Sequence, residues 1–174
     1  VSQLGAVAIL SNRPFAGDAL NGCTNDGELA FQRVDLGGRQ AMIGTAHLFW
    51  PWPHSQSEQI TQMRRRMKSV GDEGGAIVFA ADLNSAPWSH SANRISAFLN
   101  ANSVTVLGGS WLHETLPMDY ARWGGLPIDN VFARSVFVTN AERGQPFGSD
   151  HLPVLIEFSI EDTPENPKQT VLAN

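Results

Sequence analysis

The sequence predicts one mixed α/β domain. Three observations carry this. Apolar runs of strand length recur along the chain, separated by segments whose apolar residues fall at helical spacing. The run Ala76-Ile77-Val78-Phe79-Ala80-Ala81 is continuously apolar, the pattern of a central strand covered on both faces. Two further runs flank Leu36-Gly37-Gly38-Arg39, where Gly-Gly supplies the positive φ of a tight hairpin turn.

In chain order, Ala6-Val7-Ala8-Ile9-Leu10 reads as a buried strand stopped by Asn12 and Pro14. Residues 15–26, rich in Gly, Asn and Asp, read as a loop. Leu29, Phe31 and Val34 open the first hairpin arm, and residues 40–47 form the second, antiparallel to it. Next comes the aromatic, proline-rich stretch Phe49-Trp50-Pro51-Trp52-Pro53, suited to stacking a base, touching a lipid or packing over the sheet edge. Ser55 then starts a helix, with Glu58 three residues on as a capping box. Ile60, Met63, Met67 and Val70 share one face of it and point to the core, and Gly71 ends it. The central strand ends in Asp82-Leu83-Asn84, and a second helix follows with Ile95, Phe98 and Leu99 inward and a stop over residues 100–103. Residues 108–125 are irregular. Pro127-Ile128-Asp129-Asn130-Val131-Phe132 and Val136-Phe137-Val138 read as strands, and Val154-Leu155-Ile156-Glu157-Phe158 as a buried one. Residues 161–174, polar and proline-bearing, read as a poorly ordered tail to a domain spanning residues 1–160.

With 174 residues and 42% hydrophobic content, the chain is long and apolar enough to bury a real core. No window approaches the roughly 18 apolar residues of a membrane span. Cys23, the single cysteine, excludes an internal disulfide. The net charge of −5 argues against a sequence-independent grip on nucleic acid. The one basic cluster, Arg64-Arg65-Arg66 with Lys68, reads as the solvated face of a helix before it reads as a phosphate patch.

Four strand ends carry polar residues of a narrow kind: His47, then Asp82 with Asn84, then Asp129, then Asp150 with His151 in Gly148-Ser149-Asp150-His151-Leu152-Pro153. Active sites of α/β proteins gather at strand ends. Phosphate-ester hydrolysis needs carboxylates for a hard cation, a group that orients water, donors for the phosphate and a stabiliser for the leaving oxygen. Histidine titrates near neutrality, and a carboxylate behind it sets its tautomer. Each residue also has a plainer reading. His47 could cap a backbone carbonyl, and Asp82 with Asn84 could form an Asx-turn and N-cap. Asp129 is harder to dismiss, since a carboxylate in an apolar strand is costly unless paired. His54, His90 and His113 sit in polar loops and take no role.

These residues resemble the ordered motifs of the endonuclease/exonuclease/phosphatase superfamily, the deoxyribonuclease-I-like fold. The motifs stand here as Thr45-Ala46-His47, Ala81-Asp82-Leu83-Asn84, Ile128-Asp129-Asn130 and Ser149-Asp150-His151-Leu152-Pro153. Asn84-Ser85-Ala86-Pro87-Trp88-Ser89 resembles a bacterial branch whose members carry membrane helices ahead of the catalytic domain. The resemblance implies a layered α/β sandwich of two packed mixed sheets with outer helices. It implies a metal-dependent hydrolase of phosphate esters using Mg2+ or Mn2+. Asp129 is then expected to hydrogen-bond His151, the general base or phosphate ligand. His47 is expected to donate to the phosphate or leaving group, Asp82 to orient water, Asn84 to bind a phosphate oxygen and Asp150 to ligate metal or steady a ligand. Ala81 and Leu83 are mild departures from the family's Gly and Phe. The family also places a metal-binding Glu and an Asn ahead of the strand matching Ala8-Ile9-Leu10-Ser11, and no such segment stands in this sequence. The expectation is therefore a domain missing its first strands and helix, weak or absent metal-dependent activity, and an exposed edge that pairs with another copy. The alternative is a non-catalytic binding or scaffolding domain of the same fold. A hydrolase built on Ser149 is disfavoured because the sequence has no Gly-x-Ser-x-Gly elbow.

Overall fold

Gly37 and Gly38, at φ 85° and 88°, close a hairpin between β2 (Leu29–Asp35) and β3 (Gln40–His47). Both central residues lie in the left-handed region that a two-residue turn of this hand requires. The Gly38 amide donates to Asp35 Oδ1 at 2.7 Å, so the turn carries its own side-chain clasp. The computed structural model describes residues 7–16, 22–23, 28–68, 70, 74–104 and 108–160. Within them β1 (Gly22–Cys23) pairs with β2, and β3 runs parallel to β4 (Ala76–Asp82). A parallel neighbour needs a crossover. It is supplied by α1 (Gln56–Arg66). On its other side β4 pairs antiparallel with β6 (Asp129–Arg134), which also pairs with β5 (Asn102–Ser103). The resulting mixed sheet has the order β1-β2-β3-β4-β6-β5. A second, antiparallel sheet joins β7 (Val136–Arg143) to β8 (Val154–Ile160).

The strand period of two sends alternate residues of the central strand to different layers. Ile77, Phe79 and Ala81 face the helices, where Ile60, Met63, Met67 and Val70 of the first helical segment meet Ile95 and Leu99 of α2 (His90–Leu99). Each of these buried side chains larger than alanine contributes about 1.5–3 kcal/mol. Gly44 is required here, because a Cβ would fall 2.5 Å from the Phe79 ring. Val78 and Val131 face the other way, against Val154, Ile156 and Phe158 of the small sheet. Arg134 ties the layers together by donating to the carbonyls of Leu99, Val70 and Gly75. A short α3 (Ala121–Gly124) follows a 3-10 turn at Met118–Tyr120 in the segment before β6.

Three expectations are corrected. Residues 7–10 form no strand, and Leu10 is 93% exposed. An apolar run becomes a buried strand only where a neighbour takes up its backbone N–H and C=O groups. No described strand pairs with this one. Ser55 does cap α1, but its side chain makes no capping bond, so the box with Glu58 is not closed. The working side-chain cap is Ser89 on α2, which accepts from the Ala92 amide at 3.1 Å. Finally, β8 is half-buried: Val154, Ile156 and Phe158 pack inward while Leu155, Glu157 and Ser159 face out. Its two-stranded sheet covers the main one with a single face. The expected stop at Gly71, most of the loop over residues 15–26, and the tail at 161–174 lie outside the described residues.

Candidate active site

Strand register assembles the site. His47, Asp82 and Asp129 are direct lateral neighbours: His47 pairs with Asp82 across the parallel ladder, and Asp82 with Asp129 across the antiparallel one. Residues opposite one another in a ladder project to the same face. The last residues of β3 and β4 and the first of β6 therefore place three polar side chains in a row at one end of the sheet. They border a cleft of ≈ 350 Å3 between the two sheets, closed on the far side by Leu152, Pro153 and Val154. His151, just before β8, completes the group from across the cleft.

Asp129 Oδ2 lies 2.8 Å from Nδ1 of His151. That bond places the ring proton on Nδ1 in the neutral form and leaves Nε2 facing the other carboxylate. Asp82 Oδ2 stands 3.7 Å from His151 Nε2 and 3.5 Å from His47 Nε2. One carboxylate oxygen thus sits between two imidazoles. The other oxygen of Asp82 accepts the Asn84 amide at 2.8 Å, which holds the carboxylate in place.

The electrostatics follow from this packing. Burial pushes the Asp82 carboxyl above its ordinary pKa; the Asn84 hydrogen bond opposes this, Asp129 adds to it, and the two histidines offset it in part. Burial works in the opposite direction on His151, disfavouring its cation. The hydrogen bond and charge of Asp129, with the charges of Asp82 and Asp150, outweigh that and hold the imidazole above its usual pKa.

Not every expected residue meets the cleft in the expected way. Asn84 is buried, and its Nδ2 donates to the Leu48 carbonyl at 2.7 Å while lying 3.4 Å from His47 Nε2. Its amide steadies His47 and the end of β3. Asp150 is exposed and turns to Trp111, whose indole N–H donates to Oδ2 at 3.0 Å. Among the described residues, the donors that gather within 4.8 Å of one another belong to Asp82, Asp129 and His151, without Asp150. The two carboxylates fit a divalent cation beside the imidazole, since Mg2+ keeps several waters and takes only one or two carboxylates from the protein.

The sequence reading missed the groups behind the site. Gln56 is buried, and its Nε2 donates to the carbonyls of Leu83 at 2.7 Å and Phe49 at 2.5 Å. Its Oε1 accepts from Ser85 at 3.0 Å and Ser91 at 2.6 Å. One amide therefore joins the loop after β3, the loop after β4 and the start of α2. The only cue was a glutamine in the first turn of a helix, which reads as exposed. Ser110, fully buried, directs its Oγ to the Asp129 amide at 3.4 Å. Ser149 Oγ accepts the His151 amide at 3.1 Å. Trp111 forms an isolated bridge to His151 and meets Trp50 edge-on at 5.5 Å.

Comparison with known proteins places this geometry. The sequence pattern of the Endonuclease/Exonuclease/phosphatase family matches residues 2–151. A UPF0294 protein of Vibrio campbellii is 31% identical over 105 residues, 60% of this chain and 35% of that protein. The match thus spans about a third of that relative's length. The fold is similar to that of the mannosyl-6-phosphatase Bt3783 of Bacteroides thetaiotaomicron, with a TM-score of 0.54 and 15% identity over 76% of this chain and 56% of that one. It is also similar to D. rerio TDP2 complexed with a single-strand DNA product, with a TM-score of 0.57 and 18% identity over 78% and 63% of the two chains. At such identities the likeness is one of fold.

Proposed function

Because the chain belongs to the Endonuclease/Exonuclease/phosphatase family, we propose that the protein it represents hydrolyses phosphate esters with a divalent metal, at the cleft bordered by His47, Asp82 and Asp129, with His151 against the two carboxylates. One observation carries the reading. Asp82 Oδ2 lies within 3.7 Å of both imidazoles, while Asp129 holds the ring of His151 from behind. A carboxylate flanked by two proton carriers is the arrangement that in-line displacement at phosphorus calls for.

The roles follow from the atoms. Asp129 accepts from Nδ1 of His151 and favours its cation. The protonated Nε2 then donates to a phosphoryl oxygen as negative charge builds there. His47, more exposed and across the row, donates to the remaining oxygens or protonates the leaving alkoxide. Asp82, between them, orients the attacking water and accepts its proton, a task suited to a carboxyl whose basicity burial has raised. Asn84 is a positioning residue acting through His47 and the Asp82 loop. Asp82 and Asp129 are the residues that would hold Mg2+ or Mn2+, which when bound neutralises charge on the phosphoryl oxygens.

The test is release of p-nitrophenolate from bis(p-nitrophenyl) phosphate with Mg2+ or Mn2+. His151→Ala is expected to reduce turnover by about 10²–10⁴-fold, the usual contribution of a positioned proton carrier. A rate in His151→Ala equal to that of the unmodified protein would assign the site a non-catalytic role.

A further inference from the structure

All five tryptophans of the chain and its single tyrosine stand on the loops at the active-site end of the sheet. Trp50 and Trp52 follow β3, Trp88 follows β4, and Trp111, Tyr120 and Trp123 precede β6. These loops share an end because β3 and β4 are parallel and finish where antiparallel β6 begins. Most of the rings are not packed away. Trp123 is 90% exposed, Trp52 85%, Trp88 75% and Tyr120 61%. Phe147, on the loop that carries His151, is 70% exposed. Monomeric proteins seldom leave this much aromatic surface together, and where they do it marks an interaction surface.

Charge decides what meets it. The stretches 48–55 and 83–89 contain no Asp, Glu, Lys or Arg. The basic cluster Arg64, Arg65, Arg66 and Lys68 lies at the opposite end, because α1 starts beside the cleft and runs away from it. Surfaces that stack single-stranded nucleic acid pair their aromatics with a cationic groove along the backbone. Here the basic cluster is at the opposite pole, the rim segments 108–128 and 144–153 hold one cation, Arg122, against Glu114, Asp119 and Asp150, and the chain carries a net −5. Indole and phenol rings on loops with no cationic groove match another environment: the headgroup layer of a bilayer, where amphipathic rings have one apolar side and one wet side. The negative net charge favours zwitterionic over anionic lipid.

We propose that this aromatic rim seats the mouth of the active site on a zwitterionic phospholipid surface, so that the phosphoester it receives is one held at a membrane interface. The substrate class rests on the phosphoesterase reading; the docking of the rim does not. Docking needs no spanning segment: among the described residues no helix is long and apolar enough to cross a membrane.

The probe is a phosphatidylcholine vesicle mixed with the full 174-residue chain. Because every tryptophan lies on the rim, intrinsic emission reports on this end alone. The expected result is a blue shift on adding vesicles, with the protein floating with them through a density gradient. The triple variant Trp52→Ala, Trp88→Ala, Trp123→Ala is expected to lose flotation. Its circular dichroism and its rate on the soluble diester should stay unchanged, since these exposed rings hold up no core. Phe137→Ala, an exposed aromatic away from the rim, should float like the unmodified chain. Absence of both blue shift and flotation overturns the proposal. So does emission that responds to oligodeoxythymidylate and not to vesicles, which would make the rim a base-stacking surface. Vesicle binding by this chain, with no diester cleaved by the protein it represents, supports the docking and sinks the phosphoesterase reading, so the two failures are distinguishable.

Discussion

Asp129 and His151 are 22 residues apart in sequence and 2.8 Å apart in space, joined from the start of β6 to the foot of β8. The bond crosses from the large sheet to the segment leading into the small one. It therefore depends on the two sheets packing in one register. It also sets the charge of the imidazole that faces Asp82.

That charge is measurable. Titrating His151 by NMR should give a midpoint above the ordinary 6.5, because Asp129 and the neighbouring carboxylates outweigh burial. Asp129→Asn removes the largest opposing contribution and should bring the midpoint down. The sign for stability follows: a histidine whose folded pKa is raised stabilises fully below 6.5 and loses that contribution as pH rises through its folded value. Thermal stability should therefore fall across that window more in the unmodified chain than in Asp129→Asn. A midpoint at or below 6.5 contradicts the bond as described.

Gln56 tests the scaffold behind the site. Gln56→Ala leaves the Leu83 carbonyl and the hydroxyls of Ser85 and Ser91 without this partner. Each buried group so orphaned costs about 1–3 kcal/mol. For a chain of this size the midpoint should drop by about 2–4 °C per kcal/mol. An unchanged melting curve would show that the amide does not join the three segments.

Metal binding can be read without turnover. Adding Mn2+ should broaden the His151 imidazole resonances through paramagnetic relaxation, since its donor atoms lie with those of Asp82 and Asp129 inside 4.8 Å. Asp82→Asn should weaken the effect, and chelation should reverse it. Broadening that persists undiminished in Asp82→Asn, or appears only at other histidines, would place the ion elsewhere.

The row of His47, Asp82 and Asp129 was legible because each residue borders an apolar run, so strand reasoning alone brought them to one rim. The hairpin was legible from Gly37 and Gly38, whose backbone angles few other residues adopt. The α1 core face, Ile60 to Val70, followed from spacing. What sequence did not disclose depends on tertiary partners. Nothing local distinguishes the half-exposed β8 from a buried strand, except Glu157 in its middle. The turn of Asp150 toward Trp111 runs through residues 108–128, whose path has no periodicity to read. Asn84 was expected to meet substrate, and its amide instead faces inward, because the Leu48 carbonyl at the end of β3 needs a donor. Gln56 was invisible for the converse reason: polar side chains in a first helical turn are ordinarily solvated, and this one is roofed over by two loops.

The central claim is that both imidazoles act on one phosphoryl group through the carboxylate between them, and a double-mutant cycle on diester hydrolysis tests it most directly. Rates would be compared for the unmodified chain, His47→Ala, His151→Ala and the double variant. Groups that work as a unit are strongly non-additive. The double variant is thus predicted to be about as slow as the slower single one. Losses that multiply, as for independent sites, or a single variant with full activity, would contradict the account.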